Sequence, residues 1–195
     1  MKRHGWVGCG WLAVLGLVVG STGCATRTVA GGTATVPMAA TTSTVDPWAV
    51  PAVIDVAYLQ RVMDRLDQSL GDALRELVAA KSVDPKVDQI LRSIYSDSEL
   101  PVAERDFQLH PGDLAEFRAV PGNPTSQVSK VLSASAVCVY FYARRHFDAV
   151  FAHAIPDQDT YGWLAIERGS PSALNPTGWR YRHDAGPQPT KDPCT

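Results

Sequence analysis

The chain has 195 residues, of which 45% are hydrophobic and 19% charged, and its formal net charge is -2. That length supplies about one domain around a single core. The near-neutral balance excludes the basic footprint of a nucleic-acid binder, so no nucleic-acid partner is expected.

Lys2 and Arg3 open the chain with a short basic segment, followed by an uncharged, mostly apolar run over residues 6–20. As a helix of about 15 residues it would reach about 22 Å, short of the roughly 20 residues that cross a hydrocarbon core. A basic start, a short apolar run and small residues afterwards describe a secretory signal peptide, here residues 1–23. Ser21-Thr22-Gly23-Cys24 then resembles the lipobox of bacterial lipoproteins, although that family prefers an aliphatic residue where Ser21 stands. The resemblance implies acylation of Cys24, which becomes the new N-terminus. It also implies a lipid-anchored protein on the extracytoplasmic face of the cell membrane. Each buried CH₂ of an acyl chain contributes about 0.8 kcal/mol, and stable anchoring takes more than one chain. The alternatives are a secreted protein cut after Ala25 or Ala30, and an uncleaved N-terminal anchor.

Residues 24–51 are rich in Thr, Ala, Gly, Ser and Pro, with almost no charge and no periodic apolar face. Such a segment buries too little surface to offset its ordering entropy and reads as a flexible tether. Trp48, between Pro47 and Pro51, marks where the chain first meets the domain, whose body is residues 52–195.

Asp55 can cap a helix, and Leu59, Val62, Met63, Leu66, Leu70, Ala73, Leu74, Leu77 and Val78 recur at three- and four-residue steps beyond it. The polar side of this helix holds Arg61, Asp64, Arg65, Asp67, Arg75 and Glu76. Asp84-Pro85 restarts the chain, and Val87, Ile90, Leu91, Ile94 and Tyr95 form a second, shorter stripe. A helix pair packed on its own domain explains both stripes; a partner-binding helix is the alternative. Residues 97–124 are broken by Leu100-Pro101, His110-Pro111-Gly112-Asp113 and Pro121-Gly122-Asn123-Pro124. Between the last two breaks, residues 113–120 suit two helical turns burying Leu114 and Phe117.

From Thr125 the pattern becomes that of strands. Residues 128–133 suit one, and 137–144 give the strongest signal, β-branched and aromatic throughout. Alternation there sets Val137, Val139, Phe141 and Ala143 against Cys138, Tyr140, Tyr142 and Arg144. A turn is expected at 145–148, an extended stretch at 149–152, and further strands at 161–168 and 179–184. Helices first and antiparallel strands after give an α+β fold, an N-terminal helix pair on a curved sheet covered on one face. Over residues 56–184 this order of elements is similar to the cone-shaped domains of the nuclear-transport-factor-two-like superfamily. The likeness implies a cone-like sheet and no particular function.

Cys138 and Cys194 remain in the exported part and are expected to pair in an oxidising compartment, a bond worth about 4 kcal/mol on chain-entropy grounds. A free thiol at Cys138 and an intermolecular bridge through Cys194 are the alternatives. His110, His146, His153 and His183 show no metal-ligand spacing, and there is no CxxC pair, nucleophile elbow or phosphate-cradling loop. No metal, cofactor or catalytic residue is therefore expected, although His146 with Asp148, or His183 with Asp184, could form a base–carboxylate pair. Tyr140, Tyr142, Tyr161, Trp163, Trp179 and Tyr181 fall on strands and could line an apolar pocket; more often such aromatics fill a core. Arg144, Arg145, Arg180 and Arg182 read as a basic patch or a solvated face. The leading function is a non-catalytic accessory that binds another protein of the cell envelope. The alternative is a binding module for a small apolar ligand in a strand-lined pocket.

Overall fold

The computed structural model describes residues 46–108, 113–153, 160–184 and 189–195, all within the unit Thr44–Thr195, which is distinct from Met1–Ser43. The leader, Cys24, most of the tether and His110 lie outside the described residues, as do the side chains of Thr160 and Tyr161. Among the described residues no helix is long and apolar enough to cross a membrane.

The fold is α+β, and the described residues form three α-helices and a four-stranded antiparallel sheet in the order β1-β2-β3-β4. Helix α1 (Val56–Ala80) starts where the Asp55 carboxylate accepts the Tyr58 N–H at 2.7 Å, meeting one of the donors a first turn leaves unpaired. Just before it, the Trp48 carbonyl accepts a 3.5 Å hydrogen bond from the Tyr58 hydroxyl. The apolar stripe of α1 is buried from Leu59 to Leu77. Gly71 lies on it, where a Cβ would come within 2.9 Å of the Asn123 Cα, so only glycine lets the loop before β1 approach this closely. Helix α2 (Pro85–Ile94) begins with proline in its first turn and with Asp84 accepting the N–H groups of Lys86 and Val87 at 3.0 and 2.8 Å.

Two expectations between α2 and the sheet need correction. Leu100-Pro101 does not break the chain but opens helix α3 (Leu100–Asp106), because proline in a first turn forfeits no intrahelical hydrogen bond. Residues 113–120 form only a 3₁₀ turn, Asp113–Ala115. The backbone beyond it pairs across the molecule instead: Ala152 donates to the Glu116 carbonyl at 2.7 Å and Arg118 to that of Val150 at 3.0 Å. Leu114 and Phe117 are consequently half-buried, and Phe117 stacks on Phe151 with centroids 5.2 Å apart.

The strands are β1 (Thr125–Ala134), β2 (Cys138–His146), β3 (Thr160–Arg168) and β4 (Trp179–His183). Ser135 ties the tight turn between β1 and β2, its Oγ accepting the Val137 and Cys138 N–H groups at 3.3 and 3.0 Å. This leaves Val137 in the turn and shifts β2 toward its C-terminus. The expected turn at 145–148 lies later, around residues 148–150, and Arg145 belongs to the strand. Val139, Phe141, Ala143, Leu164, Ile166, Trp179 and Tyr181 form the inner face beneath the helices and are almost wholly buried. The Trp179 indole N–H donates to the Tyr58 hydroxyl at 2.8 Å, tying β4 to α1. On the other face, Cys138 and Cys194 form a disulfide across a sequence separation of 56 residues, fastening the C-terminal tail to the start of β2.

Candidate functional site

Two charged side chains occupy positions that the periodicity of their elements assigns to the interior. Asp67 follows Met63 by four residues and precedes Leu70 by three, so it lies on the buried stripe of α1 rather than on the polar side. Arg145 follows Val139, Phe141 and Ala143 at steps of two, so it is the next inward position of β2. Each is 2% exposed. Both readings of the sequence, Asp67 on the solvent side and Arg145 in a surface patch, are corrected by this placement.

Arg145 sits at the centre of a buried polar cluster. Its Nη1 donates to Asp184 Oδ1, and its Nη2 reaches Asp67 Oδ1 at 3.4 Å and the Tyr181 hydroxyl at 3.5 Å. Ser126 on β1 donates to Asp67 Oδ1 at 3.1 Å. Beyond α2 the chain turns extended at Tyr95, bridges to Tyr181 on β4 and stacks on it at 5.2 Å. That turn directs the Tyr95 hydroxyl to Asp184 Oδ2 at 3.0 Å. Phe147 and Tyr181 lie about the guanidinium at 5.2 and 5.3 Å, within cation–π range.

Burial governs the protonation of this cluster. It raises the Asp67 carboxyl to about 6, although Arg145 beside it favours the charged form. It pushes the Tyr95 and Tyr181 phenols well above their ordinary value, so both remain neutral donors. Burial opposes the charge on Arg145 too, but Asp184 above all, with Tyr181 and Asp67, holds the guanidinium well above its ordinary value. The cluster therefore holds a fixed cation and an acid, Asp67, that titrates in a mildly acidic range.

A cavity of about 260 Å³ opens beside this cluster. Leu70, Leu74 and Leu77 of α1 form one wall, and Phe107, Phe117, Phe147, Val150 and Phe151 form the rest together with the exposed Asp106, while Tyr95, Arg145 and Asp184 supply a polar end. Its walls thus come from helices and from loops at one end of the sheet. An apolar enclosure with a few convergent polar groups is the usual form of a small-molecule site.

Of the six aromatic residues expected to line a pocket, the five whose side chains are described are divided between the two faces of the sheet. Tyr140, Tyr142 and Trp163 cluster on the outer face, with Trp163 6.1 Å from Tyr140 and 4.9 Å from Tyr142. Trp179 and Tyr181 are fully buried on the inner face, where Tyr181 alone touches the polar cluster. Glu167 pairs with Arg180 at 3.3 Å and Arg182 at 2.8 Å, so these arginines belong to a charge-balanced group. His146 is half-buried at the end of β2, and Asp148 is exposed in the following turn. Of His183 and Asp184, only Asp184 lines the cavity.

No protein family model, curated protein or solved structure matches this chain.

Proposed function

We propose that the domain binds a small, mostly apolar molecule in the cavity between α1 and the sheet, and that lipid on Cys24 holds it at the extracytoplasmic face of the membrane as a non-catalytic module. One observation carries the reading. The fold places a guanidinium, a carboxylate and a phenol, linked by hydrogen bonds through Asp184, at the end of a mostly apolar cavity. Charges so desolvated are costly to a fold that gains nothing else from them, and fixed polar groups at the end of an apolar cleft orient a ligand. The volume is somewhat below the usual range of about 300–1,000 Å³, which favours a small ligand.

The neutral fluorophore N-phenyl-1-naphthylamine tests this on the mature chain carrying Cys24→Ser, which needs no detergent. Its emission should rise saturably with the protein. Leu74→Trp, which fills the cavity from α1, should abolish that rise while leaving thermal stability near that of the parent. A parent protein that fails to enhance the fluorophore would sink the reading. For the anchor, Cys24→Ser should move the protein from the membrane to the soluble extracytoplasmic fraction; full-length protein in the cytosol would overturn export.

A protein-binding accessory of the envelope is the second reading, and one feature favours it. Val50, Pro51, Ala52 and Ile54 meet Ala134, Ser135 and Ala136 in a shallow groove where the chain joins α1. The nearby chain exposes Val53 by 77% and Val137 by 65%. Val53→Asp with Val137→Asp should abolish envelope crosslinks of this end and leave fluorophore binding intact.

A further inference from the structure

We infer that the ligand carries a neutral hydroxyl head, seated between Asp184 and Arg145; this rests on the cavity being a ligand site.

Tyr95 has one proton and gives it to Asp184 Oδ2. Arg145 donates through Nη1 to Asp184 and through Nη2 to Asp67 and Tyr181. Its Nε–H is buried and has no hydrogen-bond partner, on the same rigid plane that holds Asp184. A buried donor left unmade is costly. Asp184 is in the opposite condition. Each of its oxygens accepts one of these bonds, whereas a carboxylate offers about four lone-pair sites, and its side chain lines the cavity at 16% exposure. Asp67 Oδ2 is also buried without a partner, but Asp67 does not line the cavity; among the groups that do, an acceptor for the Arg145 Nε–H and at least one donor for Asp184 are left to fill.

A hydroxyl supplies both through a single atom. A carboxylate accepts only, and it would stand as a third anion beside Asp67 and Asp184 around a single guanidinium, in a desolvated place where like charges repel strongly. An ammonium donates only; it leaves the Nε–H unmet and sets a second cation against Arg145. A ketone or ether accepts but gives Asp184 nothing. Apart from Asp106, which is solvent-exposed, the rest of the enclosure is Leu, Phe and Val, so the body of the ligand is hydrocarbon. The class is a short-chain or compact apolar alcohol.

Three probes with the same eight-carbon chain, octanol, octanoate and octylamine, separate the head groups. Each is titrated against N-phenyl-1-naphthylamine on the mature chain carrying Cys24→Ser at neutral pH. Octanol should displace the fluorophore at a concentration about tenfold lower than either charged analogue, the scale of one mismatched buried polar group. Asp184→Asn keeps the shape but removes the anion, and should reduce octanol's advantage over octanoate to about threefold or less. Octanoate or octylamine competing as well as octanol would overturn the assignment. So would failure of all three while the fluorophore still binds. If the fluorophore itself does not bind, the cavity reading falls and this inference with it.

Discussion

The two faces of the sheet are written by the same strands and held by different means. Along β2, alternate residues send Val139, Phe141, Ala143 and Arg145 inward and Cys138, Tyr140, Tyr142 and Arg144 outward. The inward set meets two helices and is closed by hydrophobic burial, as is usual for a sheet covered on one face. Among the described residues no helix covers the outward set. This face carries an aromatic cluster in which Tyr140 is buried and Tyr142 and Trp163 are partly buried, and the charge group of Glu167, Arg180 and Arg182, and a short tail is tied to it by the Cys138–Cys194 disulfide. Packing therefore secures one face and a covalent bond the other. The comparison also isolates the anomaly of the inner face: its last position on β2 holds a cation where the preceding three hold hydrocarbon. The cavity lies at that position.

Breaking the inner face at this point should have the largest effect. Arg145→Ala leaves Asp184 and Asp67 without their buried counter-charge, and the cost should be about 3–5 kcal/mol, as for other broken buried pairs. Arg145→Met, which keeps volume but not charge, with Asp67→Asn and Asp184→Asn alongside should recover most of that loss. Urea unfolding with equal m-values across the series checks both. If Arg145→Ala were as stable as the parent, the guanidinium would not be the centre of the cluster. The outer face should respond to redox conditions instead. Cys194→Ala should cost about 2–4 kcal/mol by freeing a long loop in the unfolded chain. It should also expose Tyr140 and Trp163, and leave fluorophore binding in the inner cavity unchanged. Tryptophan emission and denaturant midpoints with and without reductant measure this directly.

How much of this is legible in the sequence differs by element. The long stripe of α1, the Asp55 and Asp84 caps and the alternation of β2 are local patterns, and each predicts its element. The pairing of Cys138 with Cys194 is expected once residues 1–23 are read as an export signal and Cys24 as acylated, since these two cysteines are then left to pair, and the disulfide is present. What escapes is decided by distant partners. Leu100-Pro101 reads as a break or a helix start with equal ease until the turn around it is known. Residues 113–120 have helical spacing, but pairing with residues 150–152 takes their backbone into a bridge. The cavity is the clearest case. Its signal is present in the chain, because Asp67 and Arg145 both fall at inward positions, yet residue type argues the other way. A charged residue in phase with an apolar stripe is evidence for an interior site, and the phase is the better guide. The aromatic strand residues, chosen on chemistry alone, fall on both faces, because alternation divides neighbours that composition groups together.

The smallest of the expected effects sharpens the contrast by titrating one face alone. Asp67 has its carboxyl raised to about 6 by burial, from an ordinary value of 3.8. An acid whose folded value lies above its unfolded value binds more protons when folded across the interval between them. Stability therefore falls as pH rises from about 4 to about 6 and levels off above that. A shift of this size corresponds to at most about 3 kcal/mol, and to less once the unfolded chain and water penetration are allowed for. The sign is the informative part, since a surface carboxylate paired with an arginine would give the opposite slope. Asp67→Asn keeps a polar group beside Ser126 and Arg145 but cannot ionise, so it should flatten this interval and be at least as stable as the parent at pH 7.5. Cys194→Ala should leave the slope as it is, because the disulfide lies on the other face. Thermal unfolding of the parent and both variants between pH 4 and pH 7.5 decides it. A parent whose stability rises through the interval, or a slope that survives Asp67→Asn, would mean that Asp67 is ionised at little cost and that the inner face is less dry than its packing implies.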